Sequence, residues 1–159
     1  MKSITERNIE KLRSWFPSGP EGLTAEFIYT TSRGADTYGY NICTLYVRGL
    51  KVASTCGGGY DMSGAALGEF IERYWQAELL GIKARAASVW DGTRRESMPD
   101  RPGALYGMTY HAHKDKISLD GACGFSSMEA VLKALGYVLR FNGEQRRNRT
   151  LYTIMKAEA

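Results

Sequence analysis

The sequence predicts an α+β fold, in which an antiparallel sheet of four or more strands is built from two ββα units, with its helices on one face and an additional N-terminal helix. Three observations lead to this prediction. Apolar residues recur at helical spacing in three segments, and segments rich in β-branched and aromatic residues lie between them. Two stretches in the middle of the chain also share one order of elements: strand, turn, strand, glycine loop and amphipathic helix.

The N-terminal helix is predicted over residues 4–16. Ser3 and Glu6 have the spacing of a capping box, in which two side chains satisfy free backbone amides at the start of a helix. The Pro-Ser-Gly-Pro segment at 17–20 ends the helix. Between these points the apolar residues recur at near-helical intervals: Ile4, Ile9, Leu12 and Trp15.

The first ββα unit is predicted over about residues 38–80. Residues 24–31 and 40–48 have strand composition and are expected to be neighbours, and a third strand follows at 50–55. A glycine loop then leads to Asp61, a residue type that caps helices, and to a helix that ends near residue 80. The apolar face of this helix is formed by Leu67, Phe70, Ile71 and Tyr74.

The second ββα unit is predicted over about residues 105–141, after a linker at about 81–104 that a short strand near 86–90 would shorten. Strands at 105–111 and 116–119 form a hairpin, and Ser126 and Glu129 have capping-box spacing before a helix at 127–141. A C-terminal strand is predicted at 150–156. The apolar face of the second helix is formed by Val131, Leu132, Leu135 and Leu139.

The two units share few identical residues, so a true duplication and the recurrence of a common packing solution both remain open. Either origin predicts the same architecture.

Composition predicts a single domain over residues 1–159 and limits the class of protein. A hydrophobic fraction of 43% and a charged fraction of 24% are those of an ordinary globular protein. No apolar run approaches the roughly 18 residues that cross a bilayer, and three cysteines without a repeating spacing indicate reduced thiols. We therefore expect a cytoplasmic protein without membrane partners.

The glycine loop is a candidate anion site, because backbone amides at the start of a helix attract negative charge. The residues concerned are Gly57, Gly58, Gly59 and Tyr60. The alternative is a tight turn that needs glycine for its backbone conformation. The loop lacks the Lys-Ser/Thr of a Walker motif, and Asp61 would compete for the same amides, which favours the tight turn.

Catalysis and metal binding have weaker candidates. His111 and His113 alternate in sequence and could hold a metal with Asp115, although an exposed polar turn is the more common arrangement. Cys56 or Cys123 could act as a nucleophile if a histidine were near, although buried structural cysteine is more common. We expect no catalytic residue, no metal and no cofactor.

Arginine is concentrated in two places, although the net charge is only +4. This charge permits attraction to polyanions without requiring it. A basic patch with an aromatic residue would suit nucleic acid. Arginine and aromatic residues also anchor protein interfaces. Alternatively, the arginines near 140–149 could lie at a solvated helix end. The candidate partner-binding residues are Trp90, Arg94, Arg95, Arg101, Arg146, Arg147, Arg149 and Tyr152.

The segment from about residue 33 to 71 resembles small uncharacterised proteins of phages and mobile elements, in which a strand runs into a Gly-x-Gly-Tyr-Asp loop and a helix. Some small accessory phage proteins inhibit host defences, as anti-CRISPR proteins do, by binding a host protein or its nucleic-acid complex. The resemblance brings no catalytic residues with it. It implies a protein that works through its surface in the cytoplasm of a bacterial host.

The expected function is therefore binding and inhibition of a host macromolecule without catalysis. One alternative is a nucleic-acid-binding module that uses the arginine-rich C-terminal region. Another is a small enzyme or ligand-binding protein centred on the Gly57–Asp61 loop. An enzyme should have a concave pocket where Cys, His and Asp converge, a nucleic-acid binder should have its arginines on one face, and a protein binder should have an exposed aromatic patch.

Overall fold

The structure is a computed structural model that describes residues 1–31, 41–57, 62–146 and 148–158. Its helices are α1 (Ile4–Trp15), α2 (Met62–Tyr74), α3 (Gln76–Gly81) and α4 (Phe125–Ala134), with 3-10 turns at Lys83–Arg85 and Gly121–Cys123. The strands are β1 (Thr24–Thr31), β2 (Asn41–Val47), β3 (Leu50–Gly57), β4 (Ala86–Trp90), β5 (Arg95–Ser97), β6 (Leu105–His111), β7 (Lys116–Leu119), β8 (Tyr137–Arg146) and β9 (Arg149–Lys156).

Five strands form an antiparallel sheet in the order β3-β2-β1-β9-β8. Side chains alternate between the two faces of a strand, so residues paired across neighbouring strands share a face. Phe27 of β1 pairs with Leu45 of β2, and both are fully buried. This inner face therefore forms part of the core.

Four further strands form a mixed sheet in the order β5-β4-β6-β7. β4 pairs with β5 antiparallel and with β6 parallel, and β6 and β7 form an antiparallel hairpin. Met108 of β6 and Ile117 of β7 are buried on the inner face of this sheet.

The helices form a layer between the two sheets. α2 contacts β2 and β3 of the larger sheet and β7 of the smaller one, while α4 contacts β8 and β6. α1 packs on β3 and α2. Several large helical side chains are fully buried in this layer, among them Leu12, Leu67, Phe70, Met128 and Leu132. Each sheet thus turns one face to the core, and none of the described helices covers the other face.

The α+β fold with an antiparallel sheet of more than four strands and an N-terminal helix is confirmed. The Ser3 hydroxyl caps α1 by accepting a hydrogen bond of 3.2 Å from the Glu6 amide. The strands predicted at 24–31, 105–111 and 116–119 have the predicted ends, and the short strand near 86–90 is β4. The structure differs in placing the two ββα units in different sheets.

The prediction that the second helix runs from 127 to 141 was wrong at both ends. α4 begins at Phe125 after Gly124, which caps it without a side-chain hydrogen bond, so Ser126 and Glu129 do not form a capping box. α4 ends because Gly136 has a φ of +98°, a conformation that favours glycine and stops helices. The chain then continues as β8.

Two further boundaries also differ from the sequence prediction. The helix expected to end near residue 80 is interrupted at Trp75, whose backbone leaves the helical conformation between α2 and α3. Its indole is 4% exposed and contacts the rings of Phe70 and Tyr137, so burial of this side chain accompanies the bend. The segment 81–104 also holds more structure than a linker, since β4 and β5 both lie within it.

Candidate binding face

The outer face of the four-stranded sheet carries two rows of side chains that cross all four strands. Strand register aligns Ser97, Ser88, Thr109 and Ser118 in one row, which we call the hydroxyl row. Beside this row, at a distance of two residues on each strand, the register aligns a second row, which we call the basic row: Arg95, Trp90, His111 and Lys116. Together the two rows form the candidate binding face.

Hydrogen bonds connect the members of these rows. The Ser88 and Thr109 hydroxyl oxygens lie 2.7 Å apart, between the parallel strands β4 and β6. The Ser118 Oγ lies 2.7 Å from His111 Nε2, which links the two rows. These contacts hold the side chains in fixed positions and leave further donor and acceptor capacity on each hydroxyl group.

A cleft of about 520 Å³ opens on this face. The hydroxyl row forms its floor, and Arg95, Tyr106, Asp120 and Cys123 also line it. Tyr106 is 62% exposed, so its ring is accessible to a binding partner. The cleft therefore combines hydrogen-bonding groups, both signs of charge and an accessible aromatic ring.

The turn between β4 and β5 positions two of the predicted partner-binding residues. Asp91 Oδ1 accepts hydrogen bonds from the Thr93 amide at 2.8 Å and from the Arg94 amide at 2.7 Å. These bonds hold the pKa of Asp91 below its ordinary value. The fixed turn places Arg94 and Arg95 beside Trp90, so these three predicted residues lie together.

Charge on the basic row comes chiefly from Arg95 and Lys116. The pKa of His111 is lowered, first by burial and then by the positive groups His113, Lys114 and Arg95. We therefore expect a neutral His111 imidazole at neutral pH, where it can donate or accept a hydrogen bond.

The structure does not bring cysteine and histidine together on this face. Cys123 lies beside Gly107, where an added Cβ would be 3.4 Å from the Cys123 Cβ. His111 is four residues further along β6, about 13 Å away at the rise of an extended strand. Burial and the nearby Asp120 carboxylate raise the pKa of the Cys123 thiol, which opposes its activation as a nucleophile.

His111 and His113 are close in sequence, and the structure places their rings near each other. The rings of His111 and His113 are 6.1 Å apart. Within the part of the chain that the structure describes, there is no cluster of three or more His, Cys, Asp or Glu side chains that could hold a metal ion.

Arg101 lies in the segment between β5 and β6, is partly buried, and makes its contacts within the protein. Its guanidinium donates a hydrogen bond to the Ala86 carbonyl at the start of β4 and another, at 3.8 Å, to the Met98 sulfur. These contacts indicate that Arg101 holds the segment before β6 against β4.

Of the C-terminal candidates, Arg146, Arg149 and Tyr152 lie on the larger sheet, away from the two rows. Arg146 ends β8, where it pairs with Arg149 of β9, so this arginine cluster lies on a strand hairpin and not at a helix end. Arg149 forms an ion pair of 2.5 Å with Glu26, whereas Tyr152 faces inward and contacts the rings of Phe27, Phe125 and Phe141.

The glycine loop falls almost entirely outside the described residues. Gly57 ends β3, where it pairs with Asn41, while Gly58, Gly59, Tyr60 and Asp61 lie beyond the described part of the chain, as does Arg147.

The residues that the sequence prediction missed are the hydroxyl row and Lys116. Thr109 and His111 alternate with apolar residues in β6, as Lys116 and Ser118 do in β7, and this alternation marks an outward face. The parallel pairing of β4 with β6 joins segments about twenty residues apart, and no local pattern predicts it.

Comparison with family models, curated proteins and solved structures finds no match to this chain. None of the helices in the described ranges is long and apolar enough to cross a membrane.

Proposed function

We propose that this chain is an accessory protein of a phage or mobile element that binds and inhibits a host macromolecule in the bacterial cytoplasm. Its contact surface is the candidate binding face. The observation that carries the proposal is the basic row, in which Arg95 and Lys116 flank Trp90 and His111 beside a row of hydroxyl groups. The phage origin rests on the resemblance of residues 33–71.

The face suits a protein partner with an acidic surface, alone or within a protein–nucleic-acid complex. Tryptophan, tyrosine and arginine are the residue types that most often anchor protein interfaces, and Trp90, Tyr106 and Arg95 supply them here. The hydroxyl row supplies neutral hydrogen bonds. Asp91 and Asp120 lie at the borders of the face and reduce its attraction for a bare polyanion.

Binding is a better account of this face than catalysis. The His111 and Ser118 side chains have the spacing of a base and its nucleophile. However, no carboxylate among the described residues orients the other ring nitrogen of His111, as the third member of a catalytic triad would. The raised pKa of Cys123 also favours an unreactive thiol.

The test is capture of the partner from a bacterial lysate, followed by binding measurements with the purified partner. Trp90→Ala combined with Arg95→Glu should weaken binding more than about tenfold, because it removes an aromatic anchor and reverses a charge. The matched control combines Trp15→Ala with Arg7→Glu on α1, where both native side chains are exposed. Equal loss in both variants, or no loss in either, would contradict the proposed surface.

A nuclease treatment distinguishes the two classes of partner. Capture that survives nuclease supports a protein partner. Capture that nuclease abolishes, together with affinity for single-stranded nucleic acid that falls steeply with salt, would instead support the nucleic-acid-binding alternative.

A further inference from the structure

A second cavity, of about 360 Å³, lies between the end of α1, the segment that follows it, the junction of α2 and α3, and the start of β8. It shares no lining residue with the cleft of the candidate binding face. Four of its lining residues are aromatic: Phe16, Tyr74, Trp75 and Tyr137. Its volume falls in the range of small-molecule sites.

Packing fixes the aromatic walls before any ligand arrives. The ring centroids of Tyr74 and Trp75 are 4.5 Å apart, and those of Trp75 and Tyr137 are 5.3 Å apart. A Cβ added at Gly19 would lie 2.0 Å from the Tyr137 hydroxyl oxygen, so only glycine allows this ring its position. A preformed aromatic pocket loses little entropy when it takes up a flat or apolar group.

Two opposite charges also line the cavity. Arg13 Nη2 and Glu78 Oε1 are 3.7 Å apart, too far for a hydrogen bond, and the two side chains are 43% and 48% exposed. Arg13 Nη1 donates to the Tyr74 carbonyl, which holds the guanidinium in place. Among the described residues, the Glu78 carboxylate has no partner other than Arg13.

We infer that this cavity binds a free α-amino acid with an aromatic or large apolar side chain. The ligand carboxylate pairs with Arg13, its ammonium group pairs with Glu78, and its side chain packs against Trp75 and Tyr137. The carboxylate and the ammonium group of an α-amino acid are attached to the same carbon atom. They are therefore close enough together for the carboxylate to face Arg13 while the ammonium group faces the adjacent Glu78. A ligand with one charge would satisfy one of these residues and be repelled by the other.

The first experiment is isothermal titration calorimetry of the wild-type protein with phenylalanine, N-acetylphenylalanine and phenylalaninamide. Phenylalanine should bind with an affinity about tenfold or more above that of either derivative, since each derivative lacks one charge. Equal binding of the acetylated form would assign the cavity to peptide C-termini, and equal binding of the amide would assign it to N-termini. Either result, or no saturable binding of phenylalanine at millimolar concentration, overturns the inference.

The second experiment compares Glu78→Gln with the matched control Glu10→Gln. Glu10 is an exposed glutamate of α1 that pairs with Lys2. Glu78→Gln should lower phenylalanine affinity about tenfold and abolish the preference for phenylalanine over its N-acetyl derivative. Glu10→Gln should change neither. Melting temperatures close to that of the wild type would confirm that both variants fold. Unchanged phenylalanine affinity in Glu78→Gln would refute the pairing of the ligand ammonium group with Glu78.

Discussion

The two sheets pack on the same layer of helices, yet their outer faces differ in chemistry. On the larger sheet, Ile28 and Leu151 lie half-buried on the outer face, and the one ion pair there joins Glu26 to Arg149 within the described residues. On the smaller sheet, the outer face carries Arg95, Lys116, an imidazole, an indole and a row of hydroxyl groups. Packing on the inner faces leaves the outer faces free to differ, and the smaller sheet carries the groups of the candidate binding face.

The sheets also differ in how the chain builds them. All neighbouring strands of the larger sheet are antiparallel. The smaller sheet instead joins two hairpins, β4–β5 and β6–β7, through the parallel pairing of β4 with β6, and this pairing aligns polar residues from both hairpins. The candidate binding face therefore depends on the smaller sheet staying assembled against the helices, and this dependence can be tested.

The largest effect is expected from Leu132→Ala in α4. Leu132 is 1% exposed, and α4 packs on strands of both sheets. The substitution should lower the free energy of unfolding by about 2–5 kcal/mol, through lost burial and the cavity left behind. Chemical denaturation of the wild type and the variant measures this difference.

The same experiment tests whether the sheets form one cooperative unit. Fluorescence of the tryptophans and circular dichroism should give one coincident transition in both proteins, because the helical layer is common to the two sheets. Separate transitions for the two probes would show that the sheets unfold independently.

The sequence predicted strands of both sheets and missed one strand in each, β8 of the larger sheet and β5 of the smaller one. β1, β2 and β3 follow each other along the chain, so local composition and turns are enough to place them. β8 was missed because Leu132, Leu135 and Leu139 fit a helix, although Tyr137, Leu139 and Phe141 alternate as in a strand. Gly136 decides between these patterns, and its backbone conformation is not visible in the sequence.

A smaller loss of stability is expected where the helical layer meets the smaller sheet. At Gly121, an added Cβ would lie 2.3 Å from the Gly64 carbonyl oxygen and 2.4 Å from the Ala65 Cα, both of which are backbone atoms of α2. Gly121→Ala should therefore destabilise the protein by about 1–3 kcal/mol, because α2 and the 3-10 turn must separate.

Gly81→Ala is the control for this effect. An added Cβ at Gly81 meets nothing within 4 Å, so this substitution should be neutral or slightly stabilising. Equal stability of the two variants in thermal denaturation would show that the close approach of α2 to the turn does not constrain the fold.

Arg101 allows the structural and binding roles of the arginines to be separated. Arg101→Met should cost about 1 kcal/mol of stability, because the buried Ala86 carbonyl loses its hydrogen-bond donor. Arg94→Ala, at an exposed turn position, should change stability by less than about 0.5 kcal/mol. Partner capture should instead be weakened more by Arg94→Ala than by Arg101→Met. If Arg94→Ala lowered stability as much as Arg101→Met, the two arginines could not be assigned separate binding and structural roles.

The binding face itself was only partly predictable. Trp90, Arg94 and Arg95 stand out by residue type, and the structure places them together. Ser88, Thr109 and Ser118 carry no spacing that distinguishes them from other surface hydroxyls, since their row exists only through pairing between distant strands. The arginines near the C-terminus are as concentrated in sequence as a basic patch would be. Those on β8 and β9, however, lie on the larger sheet and not on the candidate binding face.

The smallest expected effect concerns the edge of the smaller sheet, where Glu72 of α2 accepts a hydrogen bond of 2.7 Å from the Leu119 amide of β7. Burial raises the pKa of Glu72 above its ordinary value of 4.5, and the amide and the nearby Arg73 and Lys116 offset this only in part. The folded state therefore holds the proton more tightly than the unfolded state.

It follows that the free energy of unfolding should rise as pH falls from neutral toward 4.5 through the raised pKa of Glu72. Glu72→Gln keeps an oxygen that can accept from the Leu119 amide and removes the charge, so it should add about 0.5 kcal/mol at neutral pH and flatten this slope. Some slope should remain, since burial also raises the pKa of Glu69. Urea denaturation between pH 4.5 and 7 measures the slope, with Glu10→Gln as the exposed control. If the free energy of unfolding depended on pH in Glu72→Gln as it does in the wild type, the charge of Glu72 would not destabilise the fold. The contact of Glu72 with β7 would then act only through its hydrogen bond.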